Sequence, residues 1–265
     1  MKKFLKYGLG GLVILLVLGA GGYYAWSVNS IARPTDSAIA ALVTDGQVRV
    51  EDGRFLVFRP ARLDATTGVI FYPGANCDVR GYAPVLRRIA ARGYLVVDVR
   101  MPLNQAIFAP NRADDVREAF PAIQRWVIAG HSMGGAMASH YAHNHPDDLA
   151  GLILFDGRPT ASDTLVNLRY PVWHIHRATL DGRPPEKLER FHNLFPASST
   201  WVPIRGGIHM QFGSFNGGGY TEEWKPQISA DEQHDQAVTA TLNALLTMAP
   251  PPGLVGAASA AIPPT

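Results

Sequence analysis

Trp126-Val127-Ile128-Ala129-Gly130-His131-Ser132-Met133-Gly134-Gly135 is the stretch on which the fold turns. Four apolar residues run without a polar break, as in a strand buried on both faces. Small residues follow the serine (Gly134, Gly135, Ala136, Ala138) and suit a helix packed closely on that strand. The glycines allow a sharp reversal from strand into helix. Such a turn holds Ser132 Oγ at the strand's carboxyl end, beside the positive end of the helix dipole. A bare G-x-S-x-G string reads equally well as a tight turn. Set between a buried strand and a helix, it marks a nucleophile.

The pattern repeats outward in both directions. Apolar runs recur at Val69–Tyr72, Leu95–Val97, Leu152–Phe155, Val172–Ile175 and Trp201–Ile204. Pro203 cannot donate to a ladder, so the last run belongs near a sheet edge. Gln47–Glu51 and Arg54–Phe58 flank Asp52-Gly53 and read as a leading antiparallel hairpin with a two-residue turn. Helical stripes fill the gaps. Val85, Leu86, Ile89 and Ala90 form one face, opened by Pro84 and stopped by Gly93; further helices are expected over 112–119, from 133 to before Pro146, and around Val238–Leu246. Strand–helix alternation on this scale predicts an α/β fold, a mostly parallel sheet with helices on both faces and right-handed crossovers. Ligands in such sheets bind at the carboxyl ends of the strands.

A serine hydroxyl needs a base within hydrogen-bond reach. His209, in Gly206-Gly207-Ile208-His209-Met210-Gln211-Phe212, follows the last strand in a glycine-flanked loop and is the expected base. The acid that orients it should come between Ser132 and His209 in chain order. Asp181, in Leu180-Asp181-Gly182, is the expected acid, with Asp156 as runner-up. The backbone N–H groups of Met133 and Ala75 are the expected oxyanion donors, Ala75 lying in Tyr72-Pro73-Gly74-Ala75-Asn76 after the first parallel strand.

Pro73-Gly74-Ala75, Met101-Pro102-Leu103-Asn104, the Gly130–Gly135 elbow, Asp181-Gly182 and His209-Met210-Gln211-Phe212-Gly213 occur in the order of an α/β-hydrolase group. Over roughly residues 66 to 247 the chain resembles the compact bacterial branch similar to dienelactone hydrolases, whose members often carry an N-terminal membrane segment. The resemblance implies Ser132 as nucleophile, Asp181 as acid and His209 as base. Dienelactone hydrolases use cysteine where this chain has Ser132, so a dienelactone substrate does not carry over. The expected activity is hydrolysis of a small-molecule carboxylic ester through an acyl-enzyme, with no cofactor. A lipase or amidase on the same triad, or a non-catalytic tethered binding protein, are the alternatives. Only Asp156–Pro171 separates two of the predicted strands, too little for a cap with its own core, which points to short-chain esters.

The chain ends read differently from the body. Lys2, Lys3 and Lys6 precede an uncharged stretch from Tyr7 to Ala32 that ends in Tyr23, Tyr24 and Trp26. Residues 1–32 are expected to form a membrane anchor with its N-terminus in the cytoplasm, or a cleaved signal segment; both place the body outside the cytoplasm. Residues 45–248 form the expected catalytic domain, and 249–265 a disordered proline- and alanine-rich tail. Setting the three lysines aside leaves 21 basic against 22 acidic side chains, which argues against a nucleic-acid-binding face. The single cysteine, Cys77, excludes an intramolecular disulfide framework and reads as packing. His140, His143 and His145 read as residues favoured near a helix C-terminus, and His174 and His176 as an unaccompanied pair, so no metal is expected.

Overall fold

The six apolar runs become the six parallel strands of one eight-stranded sheet, in a computed structural model that describes residues 2–251. In chain order the elements begin with helix α1 (Lys2–Asn29), strand β1 (Arg33–Pro34), α2 (Asp36–Ala40), and the strands β2 (Val48–Asp52) and β3 (Leu56–Pro60). There follow β4 (Thr67–Tyr72), α3 (Ala83–Ala90), β5 (Leu95–Asp98), α4 (Arg112–Ala119), β6 (Arg125–His131) and α5 (Met133–Asn144). The chain continues through β7 (Gly151–Phe155), β8 (Val172–Ala178), α6 (Glu186–Glu189), β9 (Thr200–Arg205), β10 (Phe215–Asn216) and α7 (Ala230–Met248). The sheet order is β2-β3-β5-β4-β6-β7-β8-β9, antiparallel only where β2 meets β3 and β3 meets β5.

The strands lack polar alternation because both faces are covered. Val69 and Phe71 of β4 join a core with Val85, Leu86 and Ile89 of α3 and Ala237, Ala244 and Leu245 of α7. Ile70 and Tyr72, one residue out of phase, join a second core with Val116 of α4 and Ala138, Tyr141 and Ala142 of α5. Pro203 sits in β9, an edge strand, where its missing donor costs no ladder bond.

Two local expectations need correction. Asp52 pairs directly with Leu56, so the hairpin turns over Gly53–Phe55, three residues instead of two. The packed body also starts before residue 45. β1 pairs with β10, and α2 is capped by Thr35 Oγ1, which accepts from Ala38 N at 3.2 Å and helps bury Ala38. Asp156–Pro171 contains no helix or strand, and among the described residues no large cap covers the sheet's carboxyl edge. The tail expectation falls, for residues 252–265, outside the described residues.

Candidate active site

Ser132 stands between β6 and α5 with φ 54° and ψ −121°, a conformation a side-chain-bearing residue adopts only when its surroundings impose it. Its N–H still belongs to the sheet, donating to Phe155 O at 3.1 Å, while its carbonyl accepts from Ala136 N in α5 at 3.1 Å. The glycines make this reversal fit. A Cβ on Gly134 would lie 2.1 Å from Tyr72 O, and one on Gly130 2.4 Å from Gly134 O, so helix and sheet meet backbone to backbone. Met133 opens α5, in the turn whose N–H groups have no intrahelical acceptor.

The second expected donor lies in the loop after β4. Gly74 N donates to Tyr82 Oη (2.9 Å), Asn76 N to Asn104 O (2.8 Å) and Cys77 N to Gly74 O (3.2 Å). Ala75 N alone of these four has no partner among the described residues, and Ala75 lines the same cavity as Ser132. Behind the loop, His131 Nε2 lies 3.1 Å from the His209 carbonyl, which can only accept. That assigns the proton to Nε2 and makes Nδ1 the acceptor from Tyr82 O–H at 2.8 Å. One directed chain therefore ties the Ala75 loop, the elbow and the His209 loop together. Burial holds His131 neutral, well below its ordinary range, as this chain requires.

His209 is fixed through its backbone as well as its ring. Gln233 of α7 bonds both the N–H (2.9 Å) and the carbonyl (2.8 Å) of Ile208, and Glu222 accepts from His209 N (3.0 Å) and Met210 N (2.7 Å). Tyr220 stacks on the imidazole at 4.1 Å. His209 Nδ1 lies 2.5 Å from Asp156 Oδ2, and the Arg177 guanidinium pairs with the same oxygen, so one carboxylate accepts from both. All three side chains are buried, and Arg177 also faces Glu223 at 3.5 Å. Burial first, then the Arg177 charge, push the His209 pKa down to about 3, leaving the ring neutral at neutral pH.

Asp181, expected to orient His209, is not brought to it. Its side chain is 53% exposed in the turn after β8, where it is held by Thr179 Oγ1 and by Arg183 Nε at 2.6 Å. Asp156 leaves β7 with φ 48°, and this turn keeps its carboxylate under the His209 loop. The deciding difference is local. One aspartate closes its strand immediately; the other is carried into solvent by the turn containing Gly182. Arg177, His131, Glu222, Gln233 and Tyr220 join the site with no motif in the sequence that marks their part in it. Asp156 had a signal, following its apolar run without a gap.

Three of the histidines outside this cluster have ordinary partners. His140 Nδ1 meets Asp163 at 3.0 Å, His143 Nδ1 donates to Thr164 O at 2.7 Å, and His174 Nε2 donates to Gly157 O at 2.7 Å. No group of three or more metal-ligating side chains gathers among the described residues. Cys77 is buried, with its thiol pushed up to about 11 by desolvation.

Ser132 and His209 line two cavities. One of about 260 Å³ is bounded by Trp26, Ala75, His131 and Tyr220; the other, of about 420 Å³, by Met133, Asp156, Arg158, Arg177, Lys187 and Glu223. Asp181 borders neither. The arrangement places a hydroxyl, a neutral imidazole with its carboxylate, and free backbone donors around common space.

The model of the Alpha/beta hydrolase family matches residues 68–235. No curated protein matches the chain in sequence. Among solved structures, the chain is similar in fold to a hyperthermophilic esterase from the archaeon Pyrobaculum calidifontis (TM-score 0.55, 16% identity, 86% of this chain and 93% of that one). It is also similar to Est1E from Butyrivibrio proteoclasticus (TM-score 0.51, 11% identity, 74% and 97%). A third is a soluble variant of monoglyceride lipase from Saccharomyces cerevisiae (TM-score 0.53, 12% identity, 77% and 95%).

Proposed function

Because the chain belongs to the alpha/beta hydrolase family, we propose that it is a serine hydrolase that cleaves carboxylic esters by acyl transfer. Ser132 Oγ attacks the ester carbonyl while His209 takes its proton. Asp156 accepts from His209 Nδ1–H, fixing the tautomer and stabilising the imidazolium as it forms. The carbonyl oxygen, now an oxyanion, lies toward the N–H groups of Met133 and Ala75. His209 then protonates the leaving alcohol. A water deprotonated by the same imidazole releases the acid and restores Ser132. The reaction draws on no cofactor.

The single observation that carries this reading is the buried His209–Asp156 pair, 2.5 Å apart, in the walls of the cavities that Ser132 also borders. The Pyrobaculum protein similar in fold is an esterase, which supports an ester as the substrate. The smaller cavity, about 260 Å³, favours a short acyl chain, since each further methylene gains about 0.8 kcal/mol only where it is buried. α1 contains a stretch, Gly11–Asn29, long and apolar enough to cross a membrane, and the three lysines before it favour a cytoplasmic N-terminus with the catalytic body outside.

A fluorophosphonate probe should label the wild-type protein at Ser132 and leave Ser132→Ala unlabelled, and Ser132→Ala should lose nitrophenyl acetate hydrolysis while keeping its far-UV dichroism. Wild-type turnover by the folded variant would refute the serine mechanism.

A further inference from the structure

The last turn of α1 does not hang free of the body. Ser27 is almost wholly buried, and its hydroxyl donates to Leu103 O at 2.7 Å. Asn76 Nδ2 donates to Ser30 Oγ at 2.7 Å, Ala32 N to Asn76 O at 2.7 Å, and Asp78 N to Ala32 O at 3.1 Å. The chain thus passes from helix to catalytic loop with no flexible linker. Trp26 stands in the wall of the cavity that contains Ser132.

These contacts set a depth. Tyr23 lies inside the apolar stretch Gly11–Asn29, six residues before its end and so about 9 Å up the helix axis. Its ring meets Phe108 edge-on, with centroids 6.0 Å apart. A body residue touching Tyr23 shares Tyr23's depth. Phe108 and its neighbours Ile107 and Leu103 are apolar and 50%, 47% and 37% exposed, and Phe108 joins them through Tyr23 to Trp26 at the aromatic end of the helix.

We propose that the catalytic body is seated in one fixed pose on the outer face of a lipid bilayer, with Leu103, Ile107 and Phe108 at interfacial depth beside α1, and that it takes an ester dissolved in that membrane. The small cavity receives the short acyl group past Trp26 while the apolar remainder stays in lipid. This rests on the reading of α1 as a membrane anchor and of Ser132 as the nucleophile. No lid is involved; what matters is where the mouth opens.

The test uses the full-length protein in phosphatidylcholine vesicles. Buried Cys77 leaves single-site spin labels possible at Phe108→Cys, at Val17→Cys within α1, and at Glu232→Cys on α7. Phe108→Cys should collide with lipid-soluble oxygen in preference to a water-soluble nickel chelate at least threefold more than Glu232→Cys does. A water-like Phe108→Cys beside a lipid-like Val17→Cys overturns the pose and leaves the anchor standing. A water-like Val17→Cys overturns the anchor and the pose with it. In the second arm, Ile107→Ser/Phe108→Ser should slow hydrolysis of hexadecyl acetate in the same vesicles at least fivefold and hold nitrophenyl acetate turnover within twofold. Equal effects on the two esters refute the membrane route. If the wild type cleaves neither, it is the esterase reading that fails, and the membrane-ester proposal falls with it.

Discussion

Asp156 illustrates how a single carboxylate acquires a role. It is buried, shared between His209 and Arg177, and held by a left-handed backbone at the end of β7. Asp156→Asn should therefore leave the fold intact and cut kcat by about 10⁴, because the imidazole then favours the wrong tautomer. Asp181→Asn, removing an exposed group bonded to Thr179 and Arg183, should change kcat less than twofold. Steady-state kinetics on nitrophenyl acetate decide between them, and the reverse ranking would sink the assignment. Arg177 acts on the same proposed base from the other side. Burial of the ring first, and the Arg177 charge second, depress the His209 pKa to about 3, so His209 stays deprotonated, as its proposed role requires, well into mild acid. The kcat/KM profile should hold its plateau through pH 6 and fall only below it. Arg177→Gln removes a lowering influence, so its acid limb should move up toward pH 6.5; an unmoved limb would mean that the guanidinium does not tune the base.

At the scale of elements, the elbow depends on the first turn of α5 meeting the end of β4 backbone to backbone at Gly134. Gly134→Ala places a methyl 2.1 Å from a carbonyl of the central strand, where neither backbone has room to yield. Urea unfolding should show a loss of at least about 3 kcal/mol, at or beyond the upper end of ordinary overpacking costs. Gly53→Ala is the control, with nothing within 4 Å of the added methyl, and should be close to neutral. A mild Gly134→Ala would show that the strand–helix approach is looser than the geometry states. The same logic explains the His209 loop. Gln233 on α7 and Glu222 hold three N–H groups and one carbonyl of that loop, so His209, the proposed base, is placed by a helix packed beneath the sheet as much as by its own strand.

For the whole molecule, buried histidines couple stability to pH. His131 and His174 are fully buried with pKa values held well below 6.5, and His209 joins them. The unfolded chain takes up these protons near pH 6.5 while the native protein does not. Stability is thus full above 6.5 and falls as pH drops below it, each histidine contributing at most about 1.4 kcal/mol per pH unit. The urea midpoint should decline steadily from pH 7 to pH 5, and His174→Asn should flatten that slope. A midpoint independent of pH over this range would show the three rings to be protonated in the native state.

Sequence alone was enough for the sheet and for the position of Ser132, the proposed nucleophile. Six apolar runs, their spacing and the glycines around Ser132 are local features, and local sterics and two-sided burial translate them directly into strands, crossovers and the elbow. His209 was legible for the same reason, as the histidine in a glycine-flanked loop after the last strand. The pairing of His209 with Asp156 and Arg177 and the docking of α1 were not. Asp156 and Asp181 both follow strands in the right order, and only the paths of the two turns, resolved by contacts across 53 residues of sequence, bring one of them to His209. Tyr82, His131 and Gln233 look like core residues in a linear string; they become supports of the site when the sheet brings their ends together. Likewise Tyr7 to Ala32 reads as an anchor and nothing more, because an apolar period records burial in lipid or protein without recording which catalytic loop the helix will rest against.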